Sequence, residues 1–328
     1  MLPYFRPWLD AWVESAYGEG GFWRTERPRD HFRTASSSTS GLASWVVALL
    51  GRHPEITLVV ETGAGDGMLL DQLCRQRPDL TLCGVDLGSR PDGLAAEVGW
   101  CSDVWDVTTG QWSGPAEQLL AAIDQPCLLL AVEWFDDLPC QPAVRQSSGA
   151  CAIDVDPSGT ERTGDRLGVA DQAWLEQWWP VGSRLEVGRT RDQAWRSLLG
   201  HLQVFGGLAL VVDYGHLCDS RPDTGSLQAF RGGRQVRPAP RSDRNLTAAV
   251  AIDALADAGQ RVGATTEFCS RQGDVLGAVP GRRDQGPLAA LVSRSEHAAL
   301  VNPAVWGDQW WLLQRVAAAP ERATSAGS

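Results

Sequence analysis

Short apolar runs alternate with segments of helical periodicity from about residue 56 to residue 139. A short uninterrupted apolar run is typical of a buried strand, whereas apolar positions every three or four residues are typical of a helix. The predicted elements are the strand Ile56–Glu61, the helix Gly67–Gln76, the strand Thr81–Asp86, a helix near 91–98, the strand Trp100–Asp103, the helix Ala116–Ile123 and the strand Pro126–Glu133. This alternation predicts an α/β fold with a mostly parallel, doubly wound sheet.

The alternation breaks after residue 139 and returns near residue 190. Residues 140–190 combine a hairpin-like pattern over Ala150–Val155 with an aromatic helix, Gln172–Trp179, and we interpret them as an insertion that caps the sheet. The core resumes with a helix near 190–204, the strand Gly207–Asp213, the helix Thr247–Ala258, the strand Val262–Phe268 and a last, antiparallel strand, Gln309–Val316.

This pattern divides the chain into five parts. Residues 1–50 form an N-terminal cap of helices and loops, with helices over Trp8–Tyr17 and Leu42–Leu50 on either side of the polar stretch Arg24–Ser40. Residues 51–139 and 191–316 are the two halves of the sheet domain, 140–190 the insertion and 317–328 a disordered tail. An excursion rich in Arg, Gly and Pro at 217–245 interrupts the second half, either as a solvated loop or as an arm that meets the active site or an acidic partner.

Composition excludes several classes of function. All 29 basic side chains are arginine, because the 328 residues include no lysine, so a P-loop lysine and Schiff-base chemistry are excluded. The net charge of −11 is the wrong sign for nucleic-acid binding. Eight cysteines without a C-x-x-C pair predict no metal site. We find neither a signal peptide nor an apolar run of about 18 residues, and we expect a cytoplasmic protein without a membrane partner.

The most specific motif is the glycine loop Glu61-Thr62-Gly63-Ala64-Gly65-Asp66-Gly67, between a predicted strand and a predicted helix. Glycines there allow a sharp turn and let a ligand approach the backbone, and the helix N-terminus favours an anion. The spacing G-x-G-x-G differs from the dinucleotide pattern and favours S-adenosylmethionine (SAM), whose carboxylate is that anion. Asp86 ends the next strand, where a carboxylate accepts hydrogen bonds from ribose hydroxyls. The alternatives are a bare turn and a capping role for Asp86.

Acidic residues also follow the later strands of the predicted sheet. Glu133, Asp136 and Asp137 follow a buried strand, and Asp213 and His216 follow the next core strand. Ligands of doubly wound sheets bind at the carboxyl ends of the strands, and acids in such a place are costly unless they face a ligand or a partner charge. These acids otherwise serve as helix caps, and His216 as a structural hydrogen-bonding residue.

Several motifs resemble those of one family. Glu133-Trp134-Phe135-Asp136-Asp137-Leu138-Pro139 is similar to N-E-x-F-D-x-L-P, and Asp213-Tyr214-Gly215-His216 is identical to D-Y-G-H. Further similar segments are Ala16-Tyr17, Gly21-Phe22-Trp23, Phe32-Arg33-Thr34, Gly225-Ser226-Leu227, Phe230-Arg231-Gly232 and Asn245-Leu246-Thr247. Over nearly its whole length the chain resembles the MidA-like SAM-dependent methyltransferases, relatives of the mitochondrial complex I assembly arginine methyltransferase. Val132, Gly233, Asn245 and Glu267 depart from the family's asparagine, histidine, aspartate and glutamine.

The resemblance implies a Rossmann-like class I methyltransferase sheet that binds SAM and releases S-adenosylhomocysteine. The cofactor-binding residues are then Glu61, Gly63, Gly65, Gly67, Asp86, Asp103 and Glu133. For arginine N-methylation, Glu133 and Asp136, helped by Asp213, clamp the guanidinium, and His216 carries away the released proton. The implied partner is a basic protein or peptide substrate.

Three functions remain open at this point. The first is methylation of protein arginine, the second is methylation of a small molecule or a natural-product peptide, and the third is a catalytically silent assembly factor with a SAM-binding fold. A homodimer is compatible with each. Trp174, Trp178 and Trp179 either stack on a substrate or attach the insertion to the sheet.

Overall fold

The computed structural model describes residues 4–26, 40–277, 295, 297–304 and 306–319. Phe32-Arg33-Thr34, most of the polar stretch before Ser40 and the tail beyond residue 319 lie outside the described residues. Within the described ranges, no helix has both the length and the apolar character needed to cross a membrane.

The core is a seven-stranded sheet. Its strands, in chain order, are β1 (Leu58–Thr62), β2 (Thr81–Asp86), β3 (Gly99–Ser102), β4 (Cys127–Val132), β5 (Gly207–Asp213), β6 (Thr265–Arg271) and β7 (Trp310–Val316). Their spatial order across the sheet is β6-β7-β5-β4-β1-β2-β3. Strands β1 to β5 pair in parallel, and β7 runs antiparallel to both β5 and β6. The predicted fold class, including the antiparallel last strand, is confirmed.

Helices cover both faces of this sheet. The helices are α1 (Trp8–Tyr17), α2 (Phe22–Thr25), α3 (Gly41–Leu50), α4 (Met68–Gln76), α5 (Gly114–Ala121), α6 (Val169–Trp178), α7 (Arg189–Gly200), α8 (Ile252–Gln260) and α9 (Gln272–Gly277). All six residues of β4 are buried, with Leu128 in the core under α3 and α4 and Leu129 in the core under α5, α7 and α8. A strand buried on both faces explains the continuous apolar run.

The predicted helix near 91–98 was wrong. Gly93 has a φ of +83°, and this segment forms turns instead. The guanidinium of Arg90 donates hydrogen bonds to the carbonyls of Leu94, Ala95 and Val98. A side chain therefore satisfies three carbonyls of this segment in the absence of a helix.

A second sheet carries the insertion. Its strands are Gln141–Gln146, Gly149–Val155, Glu161–Arg166 and Arg184–Val187, joined by the short N-terminal strand Arg6–Pro7. Arg6 pairs with Val155, so the start of the chain belongs to this sheet. Trp174 and Trp179 are buried, and the Trp174 indole donates to Asp192 on α7 at 2.7 Å. These tryptophans attach the insertion to the sheet domain.

Three small β structures complete the described fold. Trp105–Asp106 pairs with Gln111–Trp112, and Gly215–His216 pairs in parallel with Val250–Ala251. The Arg-rich excursion is not simply a loop, because Gln228–Arg231, Arg234–Val236 and Asn245–Thr247 form a three-stranded antiparallel sheet.

Candidate active site

A cavity of about 360 Å³ opens at the carboxyl ends of β1, β2 and β4. This is where strand order reverses, because β1 lies between β2 and β4. The volume falls within the range of about 300–1,000 Å³ that is usual for small-molecule sites. Among the residues in its walls are Glu61, Gly63, Gly65, Asp86 and Glu133, all of which the sequence analysis named as cofactor contacts.

The glycine loop between β1 and α4 forms the floor of the cavity. Gly63, Gly65 and Gly67 have φ values of +66°, +56° and +70°, a region in which a side chain causes strain. A Cβ atom on Gly65 would meet nothing within 4 Å, so the backbone borders open space there. A Cβ atom on Gly67 would lie 2.9 Å from Leu94 Cδ1, and Gly67 does not line the cavity. Its role is to let the helix start close to the neighbouring loop.

Asp86, the last residue of β2, is hydrogen-bonded both to the glycine loop and to the loop that follows β2. Its two carboxylate oxygens accept hydrogen bonds from the Gly65 amide at 2.8 Å and the Gly88 amide at 2.7 Å. Burial raises the pKa of Asp86 to about 6, although these amides act in the opposite direction. Each carboxylate oxygen has a second lone pair, so Asp86 retains acceptor capacity toward a ligand.

Glu61 lies at the end of β1 with 3 % of its surface exposed. Its Oε2 is buried and has no hydrogen-bond partner within the described structure. Burial raises the pKa of this carboxyl well above its ordinary value, and the nearby Asp66 and Asp86 carboxylates raise it further. A buried oxygen of this kind is costly by itself and is suited to a ligand that brings a donor or a positive charge.

The loop of residues 133–139, which we call the acid loop, supplies another wall. Glu133, Trp134 and Asp137 line the cavity, whereas Asp136 does not. The Asp136 carboxylate instead accepts a hydrogen bond from the Thr247 hydroxyl at 2.7 Å. Asp137 is therefore the acid loop's second carboxylate at the cavity, in the place that the sequence analysis assigned to Asp136.

Asp137 lines the cavity and is also hydrogen-bonded to Asn245 and Tyr17. Its Oδ1 accepts a hydrogen bond from the Asn245 amide at 2.9 Å, and its backbone carbonyl accepts one from the Tyr17 hydroxyl at 3.3 Å. Burial, followed by the charge of Asp136, raises the pKa of the Asp137 carboxyl well above its usual range. An incoming cation would favour its ionised form.

Aromatic side chains form another part of the wall and were not identified as site residues from the sequence. Trp134 packs edge-on against Trp105, with ring centroids 4.8 Å apart, and stacks with Trp112 at 6.2 Å. Tyr17 from α1 and Trp23 from α2 reach the cavity from the N-terminal segment. The signal for these two was their presence in the motif Ala16-Tyr17 to Trp23.

Three predicted site residues have other contacts. The Asp103 carboxylate accepts hydrogen bonds from the Ala116 amide at 3.1 Å and the Ser113 hydroxyl at 3.1 Å, which caps α5. Asp213 is fully buried, and its carboxylate accepts hydrogen bonds from backbone amides beneath the acid loop. His216 also lies outside the cavity wall. The structure thus brings none of the three to the cavity.

His216 is part of a buried structural cluster. The Arg221 guanidinium donates to His216 Nδ1 at 2.6 Å, to the Trp178 carbonyl at 2.7 Å and to Asp253. Burial, together with the Arg221 charge, lowers the pKa of His216 to about 3. A neutral imidazole with so low a pKa is a poor proton acceptor near neutral pH, so the proton-transfer role predicted for His216 does not fit its position.

Comparison with known proteins gives a family match and similar solved structures. Residues 72–269, more than half of the chain, match the model of a family described as "Putative S-adenosyl-L-methionine-dependent methyltransferase". A COG1565 superfamily member from Burkholderia thailandensis, crystallised with S-adenosyl-homocysteine, superposes with a TM-score of 0.72 at 19% identity, over 95% of this chain and 88% of that one. A native COG1565 superfamily structure from the same organism gives 0.71 at 20% identity, over 95% and 87%. No curated protein sequence matches the chain.

Proposed function

The chain belongs to this family of S-adenosyl-L-methionine-dependent methyltransferases, and from that premise we propose that it methylates arginine in a basic protein or peptide. The observation that carries the proposal is the pair of acidic residues, Glu133 and Asp137, that line the same cavity as the glycine loop. A guanidinium with a pKa above about 12 enters as a cation, and carboxylates are the groups that hold it.

The described residues fit SAM. The open space beside Gly65 admits a ligand against the backbone, and the unpartnered Oε2 of Glu61 suits a donor-bearing or cationic group. Asp86 has the acceptor capacity that ribose hydroxyls require. The similar Burkholderia protein carries S-adenosyl-homocysteine, the product of methyl donation, and shares this fold. When bound, SAM supplies an electrophilic methyl group on a positively charged sulfur.

The protein's contribution is positioning and electrostatics. Glu133 and Asp137 would orient the guanidinium, so that one nitrogen faces the bound methyl group. Their negative charges offset the presence of two cations in one cavity. The proton that the guanidinium loses on methylation would pass to Glu133 or Asp137, the two acid-loop carboxylates in the cavity wall, since Asp136, Asp213 and His216 do not line the cavity. The mechanism thus uses carboxylates rather than the imidazole.

Isotope transfer tests the proposal. The purified protein would be incubated with cell lysate and SAM labelled on its methyl group, and labelled protein would be hydrolysed to identify methylarginine. Label in small molecules would instead support the natural-product alternative. If no product is labelled although calorimetry detects S-adenosylhomocysteine binding, the arginine proposal fails.

Glu133→Gln is the decisive variant. It removes the negative charge and keeps the size of the side chain, so we expect methyl transfer to fall by about 10²–10³-fold, to a residual rate that is still measurable, and S-adenosylhomocysteine affinity to stay nearly unchanged. The matched control is Glu176→Gln, on the exposed face of α6, which should behave like the native protein. Loss of cofactor affinity in Glu133→Gln would show that Glu133 serves the cofactor rather than the acceptor.

A further inference from the structure

Glu133 has a backbone conformation that its side chain disfavours. With a φ of +48°, it is the one non-glycine residue with positive φ in the part of the chain that the structure describes. It follows β4 directly, and its amide donates to the Val212 carbonyl at 2.8 Å, which extends the pairing with β5 by one residue. Conformations of this kind persist only where the surrounding contacts enforce them.

Asp213 holds the amide side of the acid loop. Its Oδ2 accepts hydrogen bonds from the Phe135 amide at 2.8 Å and the Asp136 amide at 3.3 Å, and its Oδ1 accepts one from the Tyr214 amide at 2.8 Å. The side chain is completely buried at the end of β5. Both carboxylate oxygens are therefore engaged with the backbone on the side of the acid loop away from the cavity.

Arg191, on the first turn of α7, holds the carbonyl side of the same loop. Its guanidinium donates to the carbonyls of Asp136 at 2.9 Å, Leu138 at 3.0 Å and Ala249 at 3.0 Å. The residue is 3% exposed. The neighbouring Thr190 hydroxyl donates to the Pro139 carbonyl at 2.5 Å. Only arginine offers several donors in a fixed planar fork, so a lysine could not reproduce these contacts.

We propose that Asp213 and Arg191, assisted by Thr190, are positioning residues that hold the acid loop in the conformation in which Glu133 and Asp137 face the cavity. The Asp213 carboxyl accepts hydrogen bonds from the loop's amides and the Arg191 guanidinium donates to its carbonyls, so the loop is fixed from both sides. The two residues act through Glu133 without touching the substrate. Their importance for catalysis rests on the proposed function, whereas their hold on the loop does not.

Two conservative variants test this role, each with a matched control. Arg191→Lys keeps the charge but loses the planar fork of donors. Its control is Arg189→Lys on the same helix, α7, which alters only a surface pair with Asp171 of α6. Asp213→Asn replaces one acceptor by an amide donor, and its control is Asp192→Asn, a buried aspartate that accepts from Trp174 instead of the acid loop. Exchange of the amide hydrogens in residues 133–139, of which Pro139 carries none, is measured in all four variants, and methyl transfer to protein is measured alongside it.

We expect exchange over 133–139 to become at least tenfold faster in both test variants and to stay at the native rate in both controls. Methyl transfer should fall at least tenfold, while S-adenosylhomocysteine affinity changes less than threefold. When either variant is combined with Glu133→Gln, the methyl-transfer rate should be no lower than in Glu133→Gln alone. Both changes deprive the reaction of the same group, the correctly positioned Glu133 carboxylate. A purely structural role would give additive losses.

Native-like exchange over 133–139 in the test variants, or losses that add to that of Glu133→Gln, would overturn the proposal. Where a test variant fails to fold, Thr190→Val is used: it removes one hydrogen bond to the loop and should accelerate exchange there, and an unchanged rate counts against the proposal. If the native protein labels no protein substrate, the proposed function fails, and the exchange measurement still decides whether these residues hold the loop.

Discussion

Replacing Gly63 or Gly65 by alanine separates two reasons for glycine in this loop: close packing against Trp134 and open space beside the backbone. Both residues have positive φ, so both variants carry the same kind of backbone strain. A Cβ atom on Gly63 would lie 2.5 Å from Trp134 Cγ and 2.9 Å from Trp134 Cβ, whereas one on Gly65 would meet nothing within 4 Å. Gly63→Ala therefore tests the contact with Trp134, and Gly65→Ala tests the open space beside the backbone.

The sizes of the two effects follow from these contacts. Left-handed backbone costs an alanine about 1–2 kcal/mol, which applies to both variants. Carbon atoms normally approach to about 3.5–4.0 Å, so Gly63→Ala also forces an overlap with a ring packed against Trp105, Trp112 and Phe135. Overpacking of this kind costs about 1–3 kcal/mol. We expect free energies of unfolding lower by about 1–2 kcal/mol for Gly65→Ala and by about 2–5 kcal/mol for Gly63→Ala.

Denaturant unfolding and calorimetry measure the two effects separately. Any gain from a stiffer unfolded chain is common to both variants and cancels in their difference. Gly65→Ala should lose S-adenosylhomocysteine affinity although it is the more stable variant, because its methyl group occupies ligand space. If Gly63→Ala unfolds at the same midpoint as Gly65→Ala with an unchanged slope, Trp134 yields to the new methyl group, and the reasoning from packing is refuted.

Three further predictions concern Asp86, Asp103 and His216. Burial raises the folded-state pKa of Asp86 to about 6, above its unfolded value, so its contribution to stability is fully present below about pH 4 and is lost as the pH rises through 6. Urea unfolding from pH 4 to 7 should therefore show a smaller loss of stability for Asp86→Asn than for the native protein, and equal slopes would contradict the assigned burial. Asp103→Ala removes a helix cap and should lower the free energy of unfolding by about 1 kcal/mol without changing S-adenosylhomocysteine affinity, and a loss of affinity would restore it to the cofactor site. His216→Gln should lower stability and leave the pH profile of methyl transfer unchanged between pH 5 and 9, and an inflection that disappears with the imidazole would return His216 to the mechanism.

The sheet and the glycine loop could be predicted because their signals are local. Buried parallel strands appear as continuous apolar runs, and the loop needs glycine wherever its backbone is left-handed. The order of the elements then brings Asp86 beside Gly65, since β1 and β2 are adjacent parallel strands. The wrong prediction of a helix near 91–98 also has a local cause. The helical pattern there is weak, Gly93 has a positive φ, and Arg90 donates hydrogen bonds to carbonyls of the segment.

Which of the acidic side chains after β4 face the cavity could not be predicted from the sequence. The choice between Asp136 and Asp137 depends on the turn that follows Glu133, and a glutamate with positive φ has no sequence signal. Arg191 was likewise not identified, because its partners are backbone carbonyls more than 50 residues away in the chain, and any residue type supplies a carbonyl. A buried arginine resembles a surface arginine in sequence until the fold is known.

The pairing of the N-terminal strand with the insertion constrains the order in which the enzyme can assemble. Trp8 donates to Glu161, 153 residues later, and Tyr17 donates to the Asp137 carbonyl, 120 residues later. This segment is translated before the insertion and must therefore wait for strands made much later, and such non-local contacts form slowly. The cavity acquires its N-terminal wall only after the insertion has been translated, so a nascent chain arrested before residue 161 would bear its glycine loop without that wall.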